Sequence, residues 1–181
     1  YNLYNTIQHS MHITSDDSYS EISSWDMSNV TNMENMFSGV NPNEPGNLGF
    51  EFWDVSNVTN MSNMFSNYYD PLTLVGIGNW DVSSVTDMSY MFYQASVFNQ
   101  DIGAWDVSNV TYMTKMFAYA SSFNGDLSSW DVSNVYDMSY MFYEASSFNG
   151  DISSWDVINV IDIEGMFDNA SAFNQDISSW D

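Results

Sequence analysis

The chemistry open to this chain rests on carboxylates. An Asp follows each tryptophan, at Asp26, Asp54, Asp81, Asp106, Asp131, Asp156 and Asp181, and a second acidic column stands four residues before a tryptophan at Glu21, Asp101, Asp126, Asp151 and Asp176. Like charges repeated about 5 Å apart along a face repel by about 0.8 kcal/mol per pair in water. Two things could compensate: hydrogen bonds from Ser and Asn with salt screening, or a divalent cation. Calcium is the cation that several carboxylate oxygens select, with Asp81, Asp106 and Asp131 as its candidate ligands, although no EF-hand or glycine-rich calcium repeat is present. The second column follows Asn99, Asn124, Asn149 and Asn174 by two residues and reads as Asx side chains capping loop amides, with the asparagines forming a ladder. Paired carboxylates also serve glycoside hydrolysis. Acids that recur in every unit point to architecture instead, so no catalytic residue is assigned and no enzyme is expected.

Other reactive groups are few. His9 and His12, beside Asp16 and Asp17, have a spacing that could place two imidazoles on one metal, but two histidines in a polar segment are expected to be solvated. There is no cysteine, hence no disulfide framework and no thiolate site. Lys115 is the single basic side chain other than histidine, against 24 Asp and Glu, for a formal charge of −23. That balance excludes a nucleic-acid partner, which requires clustered Lys and Arg, and it suits a saline environment. Hydrophobic residues at 44% and aromatic ones at 17% call for a packed core rather than a solvated tail. No apolar run is long enough to suggest a transmembrane segment. The chain begins at Tyr1 without a basic-apolar leader, and is expected to be a soluble, processed or excised piece.

The elements that must position these residues are repeats. Trp25, Trp53, Trp80, Trp105, Trp130, Trp155 and Trp180 lie 28, 27, 25, 25, 25 and 25 residues apart, a period that marks a stacked array. Residues 1–20 read as an N-terminal cap or diverged repeat, and 21–181 as tandem repeats of 25–28 residues in an array expected to continue past 181. With each Trp as position zero, the unit is W-D-V-S-N-V-T-x-M-S-x-M-F-x-x-A-S-x-F-N-x-D-I-S-S. The alternation I-x-x-W-D-V predicts a short strand. The stripe Val110, Met113, Met116, Phe117 and Ala120, like Val85, Met88, Met91, Phe92 and Ala95, predicts a helix of two to three turns, with Thr31, Thr59, Thr86 and Thr111 as N-caps. Thr31 with Glu34 matches a capping box.

One such unit cannot bury its own Trp, Val, Met and Phe, so neighbours must share them. Strands about 4.8 Å apart beside helices about 8–10 Å apart would bend the array. The expected fold is therefore an α/β repeat solenoid. It is a leucine-rich-repeat-like right-handed coil with short parallel strands on the concave side, carrying the first Asp column, and short helices on the convex side. Asn41-Pro42-Asn43-Glu44-Pro45-Gly46 and Tyr68-Tyr69-Asp70-Pro71 read as loop insertions at one edge. Eleven of thirteen Met fall at two fixed positions beside Phe and are assigned to the core. Tyr90, Tyr93, Tyr112, Tyr119, Tyr140 and Tyr143, with Tyr136, occupy variable positions where exposed Tyr would contact a partner.

The unit W-D-V-S-N-V-T-x-M-S-x-M-F with F-N-x-D-I-S-S-W resembles the repeats of BspA-family leucine-rich repeat surface proteins, including the Mycoplasma-type lipoprotein 25- to 26-residue repeat family of unknown function, over residues 21–181. The resemblance implies an extracellular or cell-surface protein, an adhesive role and no catalytic residues. Sequons at Asn29, Asn57, Asn60, Asn109 and Asn169 would carry glycans only in a glycosylating pathway. The function expected is a non-enzymatic extracellular module that binds a protein or glycan on another cell, the matrix or a neighbouring subunit. A second expectation is an extracellular filament built by end-to-end stacking of repeats, since an uncovered terminal strand offers free backbone groups. A carboxylate-based glycosidase is the remote third.

Overall fold

The computed structural model describes residues 19–39, 48–70 and 74–180. Successive repeats lie one on the next in register. Parallel bridges run from Asn32 to Asn60, Asp87, Tyr112, Asp137 and Asp162, each seven residues past a tryptophan. The indoles stack in the same order, with ring centroids 6.1 Å apart for Trp25–Trp53, 6.4 Å for Trp53–Trp80, 6.5 Å for Trp105–Trp130 and Trp130–Trp155, and 6.3 Å for Trp155–Trp180. A buried indole N–H needs an acceptor. Trp53, Trp80, Trp105, Trp130, Trp155 and Trp180 each donate theirs to the carbonyl of the apolar residue three before the previous tryptophan, at 2.8–3.2 Å.

The expected α/β solenoid with its strands and helices is not what forms. Among the described residues there is no α-helix and no strand, only 3-10 helices at Tyr19–Ser24, Phe50–Phe52 and Ile77–Asn79 and the isolated bridges. Where W-D-V predicted a strand, the chain turns at once: the amides of Val58, Val85, Val110 and Val135 bond the carbonyls of Val55, Val82, Val107 and Val132, three residues back. Where the stripe predicted a helix, alternate amides are taken by the next repeat. Met88, Tyr90, Phe92 and Gln94 donate to the carbonyls of Tyr112, Thr114, Met116 and Ala118 at 2.8–3.0 Å, while Met91, Tyr93 and Ala95 bond three residues back. A helix requires its amides to bond four residues back, so these two patterns exclude it. Left-handed backbone at positions +10 and +14 breaks any helix too, as at Tyr90, Gln94, Lys115 and Tyr119 (φ 53 to 62). Such a conformation costs roughly 1–2 kcal/mol for a non-glycine residue, offset here by the bonds it permits between repeats.

Two further expectations fall with the helix. The leucine-rich-repeat-like curvature, with its concave and convex sides, rested on strands and helices of unequal spacing, and neither is present among the described residues. Thr59, Thr86 and Thr111 are not N-caps, because their hydroxyls donate to the carbonyls of Thr31, Thr59 and Thr86 in the preceding repeat, at 3.0–3.1 Å.

The stripe nonetheless faces inward, since linked turns of this reach place residues i, i+3 and i+4 on one side as a helix would. Val110, Met113, Met116, Phe117 and Ala120 are fully buried. Phe rings at +12 form a column 5.6–5.8 Å apart from Phe37 to Phe167. From Phe92 onward each lies face to face with the Phe at +18, 3.8–4.1 Å away. Tyr68, assigned to a projecting loop, is instead buried against Phe65, 5.6 Å between rings. The first loop insertion, residues 41–46, and both histidines lie outside the described residues. Gly49 and Gly76, at φ +73 and +87, open two 3-10 helices where a side chain would strike Ser23 or Glu51 of the repeat before.

Candidate functional site

The first Asp column lies exposed beside the tryptophans, and each carboxylate closes a turn. One oxygen of Asp26, Asp54, Asp81 and Asp131 accepts from both the amide, at 3.1 Å, and the hydroxyl, at 2.6 Å, of the Ser two residues on. Asp106 accepts the Ser108 amide and Asp156 the Ile158 amide. The Ser hydroxyl and then the Ser amide hold Asp26, Asp54, Asp106 and Asp131 below their ordinary carboxylate value. Partial desolvation pushes the other way, joined by the charge of Asp26 on Asp54 and of Asp131 on Asp106. The hydrogen bonds outweigh the repulsion. Asp181 lies outside the described residues. Among the described residues no three His, Cys, Asp or Glu side chains gather so as to hold a metal ion, Asp81, Asp106 and Asp131 included.

The second column behaves alike. Asp101, Asp126, Asp151 and Asp176 accept the amides of Gly103, Ser128, Ser153 and Ser178. Asn124, Asn149 and Asn174 donate their amides to the side-chain oxygens of Asn99, Asn124 and Asn149. Of the sequon asparagines, Asn57 and Asn109 bond carbonyls of the preceding repeat, Ser28 and Ser83. Asn60 accepts the Ser62 amide, Asn29 donates to Ser28, and Asn169 donates to Glu144.

What breaks the repetition is the tyrosines at +10, +13 and +14. Tyr90, Tyr93, Tyr119, Tyr143 and Tyr140, from three consecutive repeats, form a chain of edge-to-face contacts at 5.6, 5.7, 5.2 and 5.8 Å. Its two ends are joined through Lys115, whose ammonium lies 5.5 Å from the Tyr90 ring centroid and 5.2 Å from that of Tyr140. Five part-exposed rings and the one lysine of the chain thus form a closed circuit, with the lysine between the first and last ring. The Tyr140 hydroxyl donates to the Glu164 carboxylate; that bond, then desolvation, then the charges of Glu164, Asp168 and Asp162 raise its pKa. Tyr119 is raised by desolvation first, then by its contact with Tyr143. Both hydroxyls therefore stay protonated donors. Tyr112 and Tyr136, at +7 and +6, are about half exposed and share no ring contact with this group among the described residues.

Sequence reasoning selected these tyrosines one by one and missed that Lys115, Glu144 and Glu164 complete the group. The signal was there: read across repeats, position +10 gives Tyr90, Lys115, Tyr140 and Gly165. The ring of Tyr140 occupies the space above Gly165 that any side chain would need.

The family described as "Mycoplasma protein of unknown function, DUF285" matches residues 5–70 and 69–180. The chain belongs to this family. The resemblance noted to 25-residue repeats of unknown function is thereby shown at that level, while the leucine-rich fold expected from it is not the fold observed. Neither the curated proteins nor the solved structures provide a match. For this DUF285 member no helix among the described residues is long and apolar enough to cross a membrane.

Proposed function

We propose that this DUF285 protein is a non-enzymatic, surface-displayed or secreted interaction module of the kind its BspA-like repeats suggest, with a lateral contact surface made by the tyrosines around Lys115. The observation that carries the reading is a difference between columns. Asp, Asn, Thr and Ser at the repeated positions bond their own turn or the adjoining repeat, which is what holds an array together. The tyrosines recur in only three repeats, are part exposed, and supply flat, amphipathic area at low entropic cost. The test is binding of fluorescent beads carrying the chain to intact cells and matrix preparations. Saturable binding displaced by free chain supports the reading, and its absence on every preparation removes it.

A second reading, stacking of arrays end to end, draws on Ile158 and Ile161, apolar side chains where the other repeats carry Ser at the first position and Thr or Tyr136 at the second. Light scattering across a concentration series tests it: growth of particle length supports stacking, and a constant mass excludes it.

A further inference from the structure

The tyrosine group carries a statement about the chemistry of its partner. Lys115 shows what the rings accept: an alkylammonium seated between Tyr90 and Tyr140, residues two repeats apart. Ring faces attract cations through their quadrupole. Beside the rings stand Glu144, bonded to Asn169 and close enough to act on Tyr119, and Glu164, bonded to the Tyr140 hydroxyl. Asp162 and Asp168 are near enough to act on that same hydroxyl. Four carboxylates against one ammonium leave the group strongly negative, within a chain of net charge −23.

We propose that the surface formed by Tyr93, Tyr119, Tyr143, Glu144 and Glu164 around the Lys115 slot binds a lysine- or arginine-rich segment of a partner protein. The inference rests on the interaction reading above and assigns its partner class. Carboxylates steer the basic segment to the surface, and its side chains then settle on tyrosine rings with their charges against Glu144 and Glu164. The rings span three repeats, about 10 Å along the stack, so several cations are held at once. A cation over one exposed ring strengthens binding only about two- to fivefold, which makes an extended segment the fitting occupant and a lone amine a weak one. Anionic chains, nucleic acid and sulfated or sialylated glycans among them, meet the same field as repulsion.

The experiment is calorimetric titration of the whole chain with a decapeptide of alternating Arg and Gly at two salt concentrations. The unaltered chain should bind saturably, and more weakly at the higher salt. Tyr119→Asn combined with Tyr143→Ser keeps the charge and supplies a residue tolerant of left-handed backbone at 119; it should weaken binding at least tenfold while the melting temperature reports the fold. Glu144→Gln with Glu164→Gln, which leaves the rings in place, should also weaken it at least tenfold. Asp126→Asn with Asp151→Asn removes the same charge elsewhere on the stack and should change it less than threefold. Binding that falls equally in both carboxylate pairs, or survives loss of the tyrosines within twofold, reduces the effect to general polyelectrolyte attraction and overturns the proposal. Saturation by a neutral oligosaccharide with no response to the peptide overturns it as well. If cells bind the beads but the peptide does not bind, this inference falls and the adhesive reading stands.

Discussion

Replacing Trp130 by Phe separates the two things an indole does in this stack. The ring is 3% exposed, lies 6.5 Å from Trp105 and 6.5 Å from Trp155, and donates its N–H to the Ile102 carbonyl at 3.2 Å. Phe keeps a ring in the column and gives up two ring carbons and the donor. Two buried carbons at ~0.8 kcal/mol each amount to about 1.6 kcal/mol, and the lost hydrogen bond adds about 1 kcal/mol. The Ile102 carbonyl still accepts the Trp105 amide at 3.1 Å, so no larger penalty for an orphaned acceptor is due. The sum is about 2.5 kcal/mol. Urea unfolding followed by circular dichroism gives the number. Amide exchange guards against repeats unfolding separately. A loss under about 1 kcal/mol at Trp130 would refute the reasoning that stacked indoles and their carbonyl bonds tie the repeats together.

Other outcomes follow from single contacts. Ser56→Ala removes the hydroxyl that does most to depress Asp54, so the Asp54 carboxyl should move up toward its ordinary value in a carbon-13 titration; an unchanged midpoint contradicts the assignment. Because the folded carboxyls of Asp26, Asp54, Asp106 and Asp131 are held low, their stabilisation is present above about pH 4 and is lost as pH falls through the folded values. Alanine at the partner serines should therefore flatten the acid limb of a stability profile, and an unaltered limb counts against this origin. Gly165→Ala faces both a φ of +58 and the Tyr140 ring, and should cost about 1–3 kcal/mol in urea unfolding; a neutral effect means that Tyr140 moves freely. With one oxygen of Asp54, Asp81 and Asp131 already taken by serine, CaCl2 and NaCl at equal ionic strength should raise the melting temperature alike. A larger rise in calcium would support the cation reading of the ladder.

The register of the unit and its buried positions were legible in the sequence, because burial is written in residue type and the type recurs at every tryptophan. The backbone was not. Val110, Met113, Met116 and Phe117 have spacings that a helix and a run of linked turns satisfy equally, and the choice is made by amides reaching the next repeat, about 25 residues away, where no local propensity records it. One clue was available. Positions +10 and +14 hold Asn35, Gly39, Asn63, Asn67, Gly165 and Asn169 among their members, the residue types that enter left-handed backbone most readily. The variable positions are also rich in Ser, Asp and Asn, which bond nearby backbone and so disfavour helix interiors. At the candidate site the tyrosines were readable as exposed, whereas the Lys115 sandwich becomes visible only when equivalent positions are aligned down the array.

The bonds between repeats run in fixed directions: amides at +8, +10, +12 and +14 point forward, while the indole N–H, the Thr hydroxyl and the Asn amide point back. A repeat in the middle therefore meets the same contacts whatever the number of its companions. Gaining or losing a whole 25-residue unit by recombination leaves each junction intact, so array length is free to drift over evolutionary time at little cost to folding. The tyrosine group has no such freedom. It is composed from three particular neighbours, and an extra unit slipped between them would carry Tyr90 out of reach of Lys115.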